Sequence, residues 1–121
     1  MTAYADAWAQ AQTVRMWMVT AERELAAGST LANAEQASAS LGKARAAWFE
    51  LSTWLARLGQ VSPPAPQALA DGFIRARGTI PPPSMFNRAL AAKRETLALD
   101  LVEVDRIIDW LGVKQRAAFA S

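Results

Sequence analysis

The feature that most restricts the fold of this chain is the spacing of its apolar residues, which recur at alternating intervals of three and four positions. An α-helix places residues three and four positions apart on one face, whereas a half-buried strand needs alternation at every second residue. The sequence therefore predicts an all-α fold. The cleanest stripe ends just before Gly59 and consists of Ala34, Ala37, Leu41, Ala44, Trp48, Leu51, Leu55 and Leu58.

Glycine, proline and capping residues divide the chain into four predicted helices. Gly28 and Gly78 suit helix ends, Pro66 suits a first helical turn, and Ser84 suits an N-cap. We expect one helical domain over residues 1–121, folded as an elongated bundle of three long helices plus one short helix, with two Pro-rich connections. The predicted helices cover residues 3–27, 30–58, 66–77 and 84–111, and a short C-terminal tail covers residues 112–121.

Two details of the first two helices bear on their packing. Trp8 and Trp17 fall on opposite flanks of the first apolar stripe when residues advance by about 100° each, and one partner helix cannot easily cover both indoles. Gly42 interrupts the second helix at a cost of about 1 kcal/mol relative to alanine, which makes it a candidate kink or break.

The chain contains neither cysteine nor histidine. These absences exclude disulfides, thiolate catalysis and Cys-based zinc sites, and they remove the commonest general base and metal ligand. The sequence also lacks a nucleophile elbow and a Gly-rich phosphate loop. We therefore predict a protein that is not an enzyme and has no catalytic residues, metal site or cofactor. A solvated helix face is the favoured interpretation of the acidic residues Asp100, Glu103, Asp105 and Asp109.

Several large apolar residues lie outside the main stripes. One such residue on a surface is ordinary, but a cluster of them is typical of a protein-binding face, where Trp, Phe and Met are enriched. Met16 points toward the polar side of the first helix. The residues that we predict at a protein interface are Leu99, Val102, Arg106 and Trp110 from the last helix and Phe49 and Trp54 from the second.

Five basic residues, here called the basic group, lie on both sides of the three prolines at 81–83, although the formal net charge of the whole chain is only +2. These residues could contact phosphates, or they could form a solvated rim that pairs with the acidic end of the last helix. The second interpretation is favoured because no groove-reading motif accompanies the charges. The candidate nucleic-acid contacts are Arg75, Arg77, Arg88, Lys93 and Arg94.

These observations favour a non-catalytic structural or assembly protein that acts through protein–protein contacts, either with copies of itself or within a larger complex. Arginine outnumbers lysine ten to three, which suggests a GC-rich bacterial or phage genome, and a head, connector or tail accessory component of a phage virion would suit the chain. The alternatives are a nucleic-acid-binding module that uses residues 75–94 and a small regulatory or inhibitory protein with one bacterial partner. Neither a signal peptide nor a membrane span is expected, which predicts a cytoplasmic or virion location.

Overall fold

The computed structural model describes residues 3–27, 31–59 and 83–120, and within them the side chains of residues 3–27, 32–59 and 94–117. Three helices account for nearly all of these residues: α1 (Ala3–Ala27), α2 (Leu31–Arg57) and α3 (Pro83–Ala120). The predicted all-α class is confirmed. The predicted short helix over residues 66–77 and the Pro-rich connections lie outside the described residues, apart from Pro83, which begins α3.

Helix α3 corresponds to the last predicted helix, over residues 84–111, and it continues well beyond that predicted end. The sequence predicts a helix end at residue 111 and a tail over residues 112–121, whereas α3 runs to Ala120. Gly112 is buried, and a Cβ built on it would meet the indole Nε1 of Trp8 at 3.4 Å. The glycine therefore lies where α1 approaches α3 closely, and it does not end the helix. Most of the residues that follow, including Lys, Gln, Arg and Ala, favour helices and extend α3.

Gly42 and Gly59 have different roles in α2. The helix is continuous through Gly42, where an added Cβ would meet no atom within 4 Å, so α2 is not broken at this glycine. Gly59 follows the helix with a φ of 73°, and its N–H donates to the carbonyl of Ala56 at 3.0 Å. This is the left-handed conformation that glycine adopts readily after a helix, and the predicted end at Gly59 is confirmed.

The central helix is α1, which packs against both α2 and α3, while α2 and α3 approach each other at most marginally. The Nε2 atom of Gln10 donates to the carbonyl of Ala47 at 3.0 Å, and Lys43 lies over the ring of Trp17. These contacts make α1 and α2 antiparallel, because residue numbers fall along α2 as they rise along α1.

The packing of α3 against α1 is also antiparallel. Arg15 pairs with Asp105, and Trp8, nearer the start of α1, lies at Gly112. Trp8 therefore faces α3, whereas Trp17 faces Lys43 of α2. The prediction that one partner helix could not cover both indoles is confirmed.

The core is built from the predicted stripes. On α1 the fully buried residues are mostly small, which lets neighbouring helices approach closely, whereas α2 supplies bulk through Trp48, Leu51 and Leu55. The alternation of three and four is the knobs-into-holes pattern of helices that cross at shallow angles. The buried hydrophobic residues of α1 are Ala7, Ala11, Val14, Met18, Ala21 and Leu25, and those among the described side chains of α3 are Leu97, Val104, Ile108 and Leu111.

Trp48→Ala is expected to lower the free energy of unfolding by about 3–5 kcal/mol, because removal of a buried indole leaves a cavity. Trp48 is 3% exposed in the structure, whereas the adjacent Phe49 is 56% exposed. Phe49→Ala is therefore the matched control and should change stability by less than about 0.5 kcal/mol. Urea unfolding followed by circular dichroism measures both variants. A loss below about 1 kcal/mol for Trp48→Ala would contradict the register of α2.

The two glycines of α2 should respond in opposite directions to alanine. Gly42→Ala is expected to raise the free energy of unfolding by about 0.5–1 kcal/mol, because alanine favours a helix interior and the site has space for a methyl group. Gly59→Ala is expected to lower it, because a φ of 73° strains a residue with a Cβ. Thermal unfolding compares the variants with the parent chain. Destabilisation by Gly42→Ala would contradict an uninterrupted helical conformation of α2 at this residue.

Candidate protein-binding face

The side of α3 that faces away from the core carries four exposed apolar residues. Leu99 is 71% exposed, Val113 56%, Val102 49% and Trp110 38%. The exposure predicted from the sequence for Leu99, Val102 and Trp110 is confirmed. Val113 is not among the predicted interface residues, because the predicted helix ends at residue 111; continued in the same register, that helix places Val113 on this side.

Three of these residues, Leu99, Trp110 and Val113, belong to a second stripe with the same spacing as the core stripe. At about 100° per residue it lies roughly opposite the buried positions Leu97, Val104 and Leu111. Val102 lies beside it. A helix with apolar residues on both sides is one that can pack on two neighbours. We name it the outer stripe, and it consists of Thr96, Leu99, Glu103, Arg106, Trp110 and Val113.

Trp110 of this stripe is in contact with two neighbouring side chains while part of its surface stays accessible. The ring of Tyr4 meets the indole edge-on, with 6.2 Å between centroids and 73° between planes. The ammonium of Lys114 lies 5.7 Å from the centre of the indole ring. Both contacts restrict the rotation of the side chain, so a partner that buries it loses little conformational entropy.

Charged residues occupy the middle of the outer stripe. Arg106 Nη1 donates to Glu103 Oε1 at 2.6 Å, and the two side chains are 70% and 62% exposed. An exposed pair of this kind adds little to the stability of the monomer, because water and salt screen it. Both groups remain accessible to charges on a partner.

The other acidic residues of α3 are dispersed. Asp105 accepts a hydrogen bond from Arg15 Nε at 2.7 Å and joins α3 to α1. Among the described residues, no three acidic side chains are grouped closely enough to hold a metal ion.

The remaining two predicted interface residues lie on another helix. Phe49 is exposed on α2 with the guanidinium of Arg45 5.7 Å from its ring centre. Trp54 packs partly against the core, and Arg57 lies 4.9 Å from its ring centre. Because α2 packs on α1 and at most marginally on α3, these residues do not form one patch with the outer stripe. A helical wheel reports the face of one helix and cannot show which helices are neighbours.

Most of the candidate nucleic-acid contacts lie outside the side chains that the structure describes. Arg75 and Arg77 lie outside the described residues, and Arg88 and Lys93 lie in the part of α3 whose side chains are not described. Arg94 is exposed and lines a shallow depression between α1 and α3 together with Glu22, Ala26, Glu95 and Ala98. Since two carboxylates share this depression with Arg94, its charge is mixed. Phosphate binding by the basic group stays a prediction.

No helix in the described ranges combines the length and apolar character needed to cross a bilayer. Comparison of the chain with known protein families found no match. Comparisons with curated protein sequences and with solved structures likewise found none.

Proposed function

We propose that this chain is a non-catalytic assembly protein that joins other protein subunits through the outer stripe of α3. The observation that carries the proposal is the 71% exposure of Leu99 on a helix whose opposite side is fully packed at Leu97. Val102 and Val113 extend the apolar surface along the same side of α3. Monomeric proteins seldom expose several large apolar residues together, and such surfaces typically bind proteins.

The chemistry of the stripe supports a specific contact. Trp110 packs edge-on against Tyr4 and is partly exposed, and it is an aromatic residue of the kind that dominates binding energy when it enters a dry interface. Glu103 and Arg106 add opposite charges in the middle of the apolar surface. In interfaces such charges select partner and register more than they add affinity. Apolar residues would therefore provide the affinity and the central pair the specificity.

Within this class we propose a structural or accessory component of a virion. The support is compositional: the chain is short, rich in alanine and arginine, and free of cysteine and histidine. The outer stripe is compatible with this proposal, since a virion protein acts by joining subunits.

The double variant Leu99→Ser, Val113→Ser tests the binding face directly. The parent chain should associate as its concentration rises, and the association should persist in molar salt because apolar contacts are not screened. The double variant should raise the dissociation constant about tenfold or more, since both changes remove apolar area from the contact. Sedimentation velocity measures the effect.

Met16→Ser is the matched control, because Met16 is 51% exposed on α1 and lies outside the outer stripe. It should leave the dissociation constant unchanged. A parent chain that stays monomeric up to millimolar concentration would contradict the proposal. So would an association that Met16→Ser weakens as much as the double variant does.

Trp110→Ala should weaken association by about 2 kcal/mol or more while the fold of the monomer persists. Loss of the Tyr4 contact should lower the melting temperature only slightly, because the indole is at the surface and not in the main core. Thermal unfolding of dilute protein and sedimentation of concentrated protein separate the two effects. Unfolding of the monomer would assign Trp110 to the core, and a variant unchanged in both measurements would remove it from the interface.

A further inference from the structure

The residues of the outer stripe form complementary pairs when the stripe is followed inward from its two ends. Starting from its ends, Thr96 matches Val113, since both are β-branched and of similar size. Leu99 then matches Trp110, as both are large and apolar, and at the centre Glu103 matches Arg106 with the opposite charge. An antiparallel copy of the same helix would bring together these three kinds of pair, and each pair is favourable.

We propose that the partner of the outer stripe is the outer stripe of a second copy, packed antiparallel about a two-fold axis that passes between Val104 and Asp105. This inference rests on the proposed function and specifies its geometry. A two-fold interface is isologous, so each pair occurs twice by symmetry. Thr96 would then face Val113 of the second copy, Leu99 would face Trp110, and Glu103 would face Arg106.

The spacing of the stripe suits this pairing. Alternating intervals of three and four keep one side of a helix on its neighbour in a left-handed coiled coil. Thr96 and Val113 lie about 26 Å apart along α3, at about 1.5 Å per residue. The proposed contact therefore extends over nearly five helical turns of the described part of α3.

The charged pair selects this arrangement over its competitors. A parallel pair of helices in register would place Glu103 against Glu103 and Arg106 against Arg106, and like charges in contact disfavour association. An antiparallel pair shifted by one heptad places Glu103 against Leu99 or Val113 and leaves a charge against apolar surface. The proposed register is the one in which both charges face opposite charges and both large apolar residues face each other.

The chain carries its own matched controls for the charge pairing. Glu103→Arg alone and Arg106→Glu alone should each raise the dissociation constant of self-association about tenfold or more, because each variant sets like charges against one another twice. An equimolar mixture of the two variants should associate about as tightly as the parent chain, since every charge then faces its opposite. Thermal unfolding of each dilute variant controls for the loss of the pair within one helix.

Disulfide cross-linking reports the register itself, because the chain has no cysteine of its own. A mixture of Thr96→Cys and Val113→Cys chains should form a disulfide-linked dimer under mild oxidation, since the two positions face each other in the proposed pair. Each variant alone should not cross-link, because two copies of one position would lie about 26 Å apart. Thr96→Cys mixed with Thr53→Cys, which is exposed on α2, is the control and should form no linked dimer.

The outcomes separate this inference from the proposed function. Efficient cross-linking of Thr96→Cys alone would indicate a parallel pair and overturn the inference while leaving the outer stripe as the binding face. Association without any linked dimer in the mixture would overturn the antiparallel register in the same way. A parent chain that does not associate at all would contradict both proposals.

Discussion

The structure depends on the small apolar stripe of α1, which must pack against two helices at once. Ala7, Ala11 and Ala21 are completely buried there. Because alanine occupies little volume, the backbones of neighbouring helices can come close to α1. The two tryptophans of α1 lie on the flanks of this stripe. Trp8 consequently packs at Gly112 of α3, and Trp17 lies beneath Lys43 of α2. The packing of α2 and α3 on α1 follows from this arrangement of small residues in the stripe and indoles on its two flanks.

A helix that packs on α1 from one side leaves its other side open. For α3 the open side is not a uniformly polar surface, since it repeats the spacing of the core stripe with Leu99, Trp110 and Val113. Monomeric proteins seldom expose several large apolar residues on one side of a helix. The outer stripe has one central ion pair, Glu103 with Arg106, and in the proposed interface these charges would set the register. The functional proposal therefore rests on the packing of α3, which contacts α1 on one side and exposes the outer stripe on the other.

Local periodicity predicted much of this arrangement but not all of it. The bounds of α1, the end of α2 at Gly59 and the exposure of Leu99 follow from the chemistry of neighbouring residues, and the structure confirms them. The surroundings of Gly112 depend on Trp8, which is remote in sequence, so the neighbours of this glycine in the chain cannot show that it lies inside a helix and against an indole. The separation of Phe49 from the outer stripe likewise depends on which helices are neighbours, and no single-helix pattern contains that information.

The indole N–H resonances of the five tryptophans offer a direct test of the central claim, that the open side of α3 joins one subunit to another. They can be followed by two-dimensional NMR as the concentration of the unmodified chain is raised. The resonance of Trp110 should shift with concentration, whereas those of Trp17 and Trp48 should stay fixed, because their surroundings lie within one subunit. A shift confined to Trp54 on α2, or a spectrum that does not change with concentration, would contradict the account.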